Sequence, residues 1–152
     1  MNIEREDLNG SLPAGAAGYV DHIGIAVDDM DAALVLYRDL LGLELERMEE
    51  VPQENVKVAF LKLDRTGGRG HIELLAPLSD EGNIAKFIAR NGPGLHHVAV
   101  GADDVEKMLD RCRDAGLRLI DETPRTGAGG KQIAFLHPKS TRRVLVEICG
   151  GH

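Results

Sequence analysis

His22-Ile-Gly-Ile-Ala-Val-Asp-Asp-Met30 and, 75 residues later, His97-Val-Ala-Val-Gly-Ala-Asp-Asp-Val105 are one pattern written twice. A histidine opens each stretch, an apolar run follows and an Asp-Asp pair closes it. The same offset aligns Val58-Ala-Phe-Leu61 with Ile133-Ala-Phe-Leu136. An offset one residue shorter aligns His71-Ile-Glu-Leu-Leu75 with Leu145-Val-Glu-Ile-Cys149. Three blocks in the same order at nearly constant spacing mark an internal repeat.

Working outward from these blocks, each copy reads as β-α-β-β-β. In the first, 20–27 is a β-branched apolar run, and Asp28 or Asp29 then caps a helix. Met30, Ala33, Leu34, Tyr37 and Leu41 recur along that helix at helical spacing, and Gly42 ends it. Strands are expected near 43–51, 56–63 and 70–76. The second copy gives a strand at 95–102 and a helix over about 104–115 stopped by Gly116. Strands follow near 117–121, 131–136 and 143–149. The expected organisation is a flexible leader over 1–18, a first module over 19–76, a linker with a short helix over 77–94, and a second module over 95–149. The fold class is α+β, two tandem βαβββ modules, in one structural domain over 19–149.

Composition supports a folded enzyme or binding domain and excludes other classes. The 152 residues are 43% hydrophobic and 28% charged, which is enough for a core and a solvated surface. A net charge of −7, 3% aromatics and no Trp argue against nucleic acid, which asks for a basic face and stacking platforms. No apolar stretch approaches the length of a membrane span, and the polar, acidic beginning has no apolar core of a signal peptide. Cys112 and Cys149 are isolated and form no CxxC pair, which reads as reduced thiols in a cytoplasmic protein.

The repeat also picks out the chemistry. Each copy presents one His early in its first strand and one Glu in its last: His22 and Glu73, then His97 and Glu147. A lone histidine at a strand start is ordinarily a structural hydrogen-bonder, and a lone Glu in a strand is ordinarily its solvent face. Recurrence at matched positions inside apolar strands changes that reading, because a half-buried carboxylate needs a counter-charge and one shared cation supplies it to both. Two imidazoles and two carboxylates suit one borderline-to-hard divalent ion, Co²⁺ first and Mn²⁺, Zn²⁺, Ni²⁺ or Fe²⁺ as alternatives. His96 is expected on the opposite face by strand alternation and outside the ligand set. His71 shares the Glu73 face, His137 opens a turn, and His152 is terminal.

Paired βαβββ modules resemble the vicinal oxygen chelate superfamily, whose two curled sheets face one another around a central metal. Several strings narrow the resemblance: Asp21-His-Ile-Gly-Ile-Ala-Val27, Ile72-Glu-Leu-Leu-Ala-Pro-Leu78, Gly94-Leu-His-His-Val-Ala-Val100, Pro124-Arg-Thr-Gly-Ala-Gly-Gly130, Ala134-Phe-Leu-His-Pro-Lys-Ser140 and Val144-Leu-Val-Glu-Ile148. They are similar to the methylmalonyl-CoA epimerase family. That resemblance implies interconversion of (2R)- and (2S)-methylmalonyl-CoA by metal-assisted 1,1-proton transfer through an enolate. It implies one divalent ion on His22, Glu73, His97 and Glu147, and a homodimer. Glu147 is the first candidate for one proton carrier and Glu73 for the other. Where some family members carry a Glu, this chain has Val58, so His71, Glu54 or a bound water are further candidates for the second group. Arg142-Arg143 stand where the family often has Gly. Arg143 and Lys139, with Lys131, are candidates for holding CoA phosphate. The alternatives are another metal-dependent member of the superfamily, a glyoxalase I-like lyase or a dioxygenase, and a metal-free small-molecule-binding member.

Overall fold

A computed structural model of the chain describes residues 12–151. Most of the expected leader, and His152, lie outside these residues. The described end of the leader is held in place. The Gly15 carbonyl accepts the amides of Asp103 and Asp104 at 2.8 and 3.2 Å, and strand β1 (Ala16–Ala26) starts directly after it. The chain divides into two compact units, Asp21–His97 and the residues that flank it on both sides.

In the 21–97 unit the strand order is β2-β3-β4-β1, with β2 at Leu45–Val51, β3 at Val56–Lys62 and β4 at His71–Pro77. β1 runs parallel to β4, while β4, β3 and β2 pair antiparallel. Helix α1 (Met30–Leu34) opens on Asp29, whose Oδ1 accepts the Ala32 amide at 3.0 Å. Met30 and Leu34 bury against Val27, Ala59, Leu61 and Leu74, one face of the sheet. Alternation along the strands puts His22, Glu73 and Phe60 on the other face. Helix α2 (Asn83–Asn91), the short linker helix, ends at Gly92 with φ 76°.

The expected helical stripe to Leu41 changes pitch. Val35–Leu40 is π-helix, shown by the Leu41 amide bonding the Leu36 carbonyl five residues back at 2.9 Å. The wider turn takes Leu41 off the core stripe, and it is 62% exposed.

In the other unit the order is β5-β8-β7-β6, where β5 is Gly94–Ala102, β6 Arg125–Thr126, β7 Gln132–Leu136 and β8 Val146–Gly150. Helix α3 (Val105–Asp114) is capped by Asp104, whose Oδ1 takes the Lys107 amide at 3.1 Å. Asp29 and Asp104, like Ala32 and Lys107, stand 75 residues apart, so the sequence repeat extends to hydrogen bonds. Val105 and Leu109 pack on Ala102, Ala134, Leu136 and Ile148. The strand expected at 117–121 is reduced to a bridge between Leu119 and Leu136. There the Asp121 carboxylate, instead of a backbone carbonyl, accepts the Phe135 amide at 2.8 Å. The edge strand forms only at Arg125–Thr126, after Pro124, which has no amide to give to a ladder. No helix among the described residues is long and apolar enough to cross a membrane.

Candidate metal centre

His22 and His97 are 4% and 7% exposed. Their rings meet edge to face with centroids 5.0 Å apart, and their Nε2 atoms lie 2.9 Å from one another. Two donor nitrogens directed at one another suit a shared cation. Ligands at right angles on an ion about 2.1 Å away lie about 3.0 Å apart, against about 3.4 Å at the tetrahedral angle. The observed 2.9 Å is close enough for both nitrogens to serve one ion. Burial holds the His97 imidazole well below its ordinary pKa, and the neighbouring His22 and His96 push it further down. His97 is thus neutral at physiological pH, the form that binds metal.

The His97 ring lies on Gly24. A Cβ at that glycine would come within 2.3 Å of the His97 Cε1, so only a residue without a side chain lets the ring lie there. Gly24 is also in register with Glu73 of β4, and Glu73 in turn with Phe60 of β3. Glu73 is 6% exposed, and its Oε2 is 3.0 Å from His22 Nδ1, the ring nitrogen remote from His97. The same Nδ1 meets Asp21 Oδ2 at 2.7 Å. Asp21 is itself 6% exposed.

The other unit repeats this lattice around Glu147. Glu147 of β8 is buried, with Ala99 of β5 and Phe135 of β7 as its register partners. Each phenylalanine carries a guanidinium over its ring: Arg47 on Phe60 at 3.8 Å and Arg125 on Phe135 at 5.5 Å. Two buried carboxylates thus occupy equivalent positions in equivalent surroundings.

His96 does not keep wholly to the opposite face. Its ring packs on Phe87 of α2, with centroids 4.9 Å apart, but its Nδ1 reaches His97 Nδ1 at 2.9 Å. Burial lowers its pKa too. His71, in register with His22, is committed to Glu46, with Nε2 to Oε2 at 2.8 Å. Val58 is fully buried between Glu49 of β2 and Leu75 of β4 and offers no ionisable group. Glu54 lies in the 3₁₀ turn Pro52–Glu54 that joins β2 to β3. Lys139 and Arg143 are exposed around the turn that leads into β8, where the Lys139 amide donates to His137 Nδ1 at 3.1 Å. Asp21 and His96 escape a search for repeated histidines because each precedes its histidine and the two differ in residue type. Starting the alignment one residue earlier pairs them.

Residues 21–135 match the glyoxalase/bleomycin resistance protein/dioxygenase superfamily. The ethylmalonyl-CoA/methylmalonyl-CoA epimerase of Cereibacter sphaeroides is 38% identical over 133 residues, covering 86% of this chain and 96% of that one. The crystal structure of methylmalonyl-CoA epimerase from Mycobacterium tuberculosis superposes with a TM-score of 0.84 at 36% identity, over 94% of each chain. A methylmalonyl-CoA epimerase solved in complex with methylmalonyl-CoA and ammonium gives a TM-score of 0.80 at 38% identity, over 87% of this chain and 93% of that one. Two βαβββ modules, a buried pair of facing imidazoles and these relatives lead to one assignment: the chain belongs to the glyoxalase/bleomycin resistance protein/dioxygenase superfamily and, within it, to the methylmalonyl-CoA epimerase family.

Proposed function

We propose that this protein is a metal-dependent methylmalonyl-CoA epimerase, an isomerase that moves one proton at C2 of the substrate. The observation that carries the metal part of this reading is the 2.9 Å approach of the two buried Nε2 atoms of His22 and His97. The substrate class rests on the epimerase relatives at up to 38% identity.

In this reading His22, Glu73, His97 and Glu147 hold one divalent cation, with Co²⁺ the first choice among Co²⁺, Mn²⁺, Zn²⁺, Ni²⁺ and Fe²⁺. Glu73 and Glu147 support it as buried carboxylates at equivalent positions of the repeat. When bound, the cation supplies Lewis acidity toward the substrate's oxygens. The C2 proton lies between a thioester and a carboxylate, so its loss leaves an enolate. Glu147 carries the proton on one face and Glu73 on the other, each a carboxylate in low-dielectric surroundings. Lys139 and Arg143 reach toward CoA phosphate from the exposed turn before β8, where charge is available without a desolvation cost. The protein acts as a homodimer in the cytoplasm. Neither Cys112 nor Cys149 is in a disulfide, which agrees with a reducing compartment.

The test is C2 deuterium exchange of methylmalonyl-CoA in D₂O, with and without chelator. Exchange with inversion that the chelator abolishes and Co²⁺ restores is the expected result, and Glu147→Gln should lower its rate by at least about 100-fold. A metal-loaded, folded protein that leaves C2 unexchanged would move the activity to another reaction of the superfamily.

A further inference from the structure

Asp21 and His96 are 75 residues apart and occupy the same place in the two copies, each directly before a candidate metal-binding histidine. Neighbours on a regular strand point to opposite faces. A contact between them must be made round the strand, and both pairs make it: Asp21 Oδ2 to His22 Nδ1 at 2.7 Å, and His96 Nδ1 to His97 Nδ1 at 2.9 Å. Both contacts engage the nitrogen remote from the facing Nε2 pair.

We infer that Asp21 and His96 are matched positioning residues that hold the Nδ1–H groups of His22 and His97, so that both Nε2 lone pairs face one divalent ion. This rests on the metal reading above. An imidazole offers a metal one nitrogen only when the other keeps its proton, and an acceptor on that proton fixes both tautomer and ring angle. With Nε2–H on one ring, Nε2 atoms 2.9 Å apart are an N–H···N hydrogen bond. With both protons held on Nδ1, two lone pairs face one another instead, and a cation between them removes their repulsion.

The alternative is that Asp21 merely finds a counter-charge and His96 merely packs on Phe87. That account gives no reason for the same contact, on the same ring nitrogen, at both repeat positions. The two holders also differ in strength. Asp21 is a carboxylate and makes His22 the stronger electron donor, whereas the imidazole of His96 does less for His97. Glu73 Oε2 also approaches His22 Nδ1, at 3.0 Å. With Asp21 holding that N–H, Glu73 is free to turn to the ion.

The experiment is Co²⁺ titration of the purified protein, followed by its visible absorption spectrum and the affinity. Asp21→Ala and His96→Ala should weaken Co²⁺ binding by about 10–100-fold and alter the band positions, with Asp21→Ala the larger effect. Asp21→Asn and His96→Asn keep an acceptor at each place and should restore most of the loss. In the Zn²⁺-loaded wild-type protein, nitrogen-labelled NMR should report the Nδ1–H tautomer for both His22 and His97, a readout that needs no variant to fold. Wild-type affinity and spectrum in folded Asp21→Ala and His96→Ala, or an Nε2–H tautomer at either histidine, overturns the inference. His22→Ala and His97→Ala separate this from failure of the metal reading. If they bind Co²⁺ as the wild type does, the metal reading itself falls. If only they lose the ion, the site stands and Asp21 and His96 have no part in it.

Discussion

Gly24 has no side chain, and His97 is the reason. Nothing in Ile-Gly-Ile distinguishes that glycine from a strand residue of no consequence, because the ring that fills its place comes from 73 residues further along the chain. Gly24→Ala should therefore act on the metal as well as on the packing. A Cβ 2.3 Å from the His97 ring forces the ring aside. The expected result is Co²⁺ affinity lower by about tenfold or more and a loss of about 1–3 kcal/mol from overpacking, read by metal titration and urea unfolding. Glu73 and Glu147 could be picked out in the sequence, since charge inside an apolar strand is conspicuous when it occurs twice. Asp21 and His96 could not, since a polar residue at a strand start is ordinary until its partner atom is known.

At the scale of elements, the two helix starts follow from local chemistry and can be tested singly. Asp104 Oδ1 takes the Lys107 amide, one of the donors that a helix beginning leaves unsatisfied. Asp104→Ala should cost about 0.5–2 kcal/mol in urea unfolding. The turn before β8 is a different case. Arg142 and Arg143 hold φ of 58° and 71°, in the left-handed region that favours glycine, and each costs about 1–3 kcal/mol there. Residues kept against such strain are candidates for function. Arg143→Gly should raise the thermal midpoint by relieving the backbone, while raising KM for the CoA substrate if its guanidinium meets phosphate. A variant both more stable and kinetically unchanged would remove Arg143 from the binding surface. The two elements that departed from expectation did so for reasons outside the local pattern. The π segment Val35–Leu40 keeps an apolar sequence at helical spacing but changes pitch. The strand near 117–121 shortens to one bridge, flanked by the His137 amide to Arg118 carbonyl and Ile120 amide to Phe135 carbonyl bonds, and stops where the Asp121 side chain takes the Phe135 amide.

On the scale of the molecule, Val35, Leu36, Leu40 and Leu41, along and just after the π segment, are between 45% and 75% exposed, an apolar surface of the kind that marks interaction sites. Light scattering should give twice the chain mass of 16.5 kDa, and a mass of one chain would leave the protein a monomer. The sequence by itself determined the duplicated module, its βαβββ order, the Asp-Asp pair before the first helix as its cap and the residue types of the candidate ligands. These follow from periodicity, capping chemistry and repetition, all of which are local along the chain. That Asp29 caps the first helix, and Asp104 the second, came with the structure. Only the tertiary structure decided that the Nε2 atoms of His22 and His97 face one another, that Asp21 and His96 hold the far nitrogens, and that Gly24 makes room for a ring. Those facts depend on strand register and ring orientation across the sheet, and register is set by packing between segments distant in sequence.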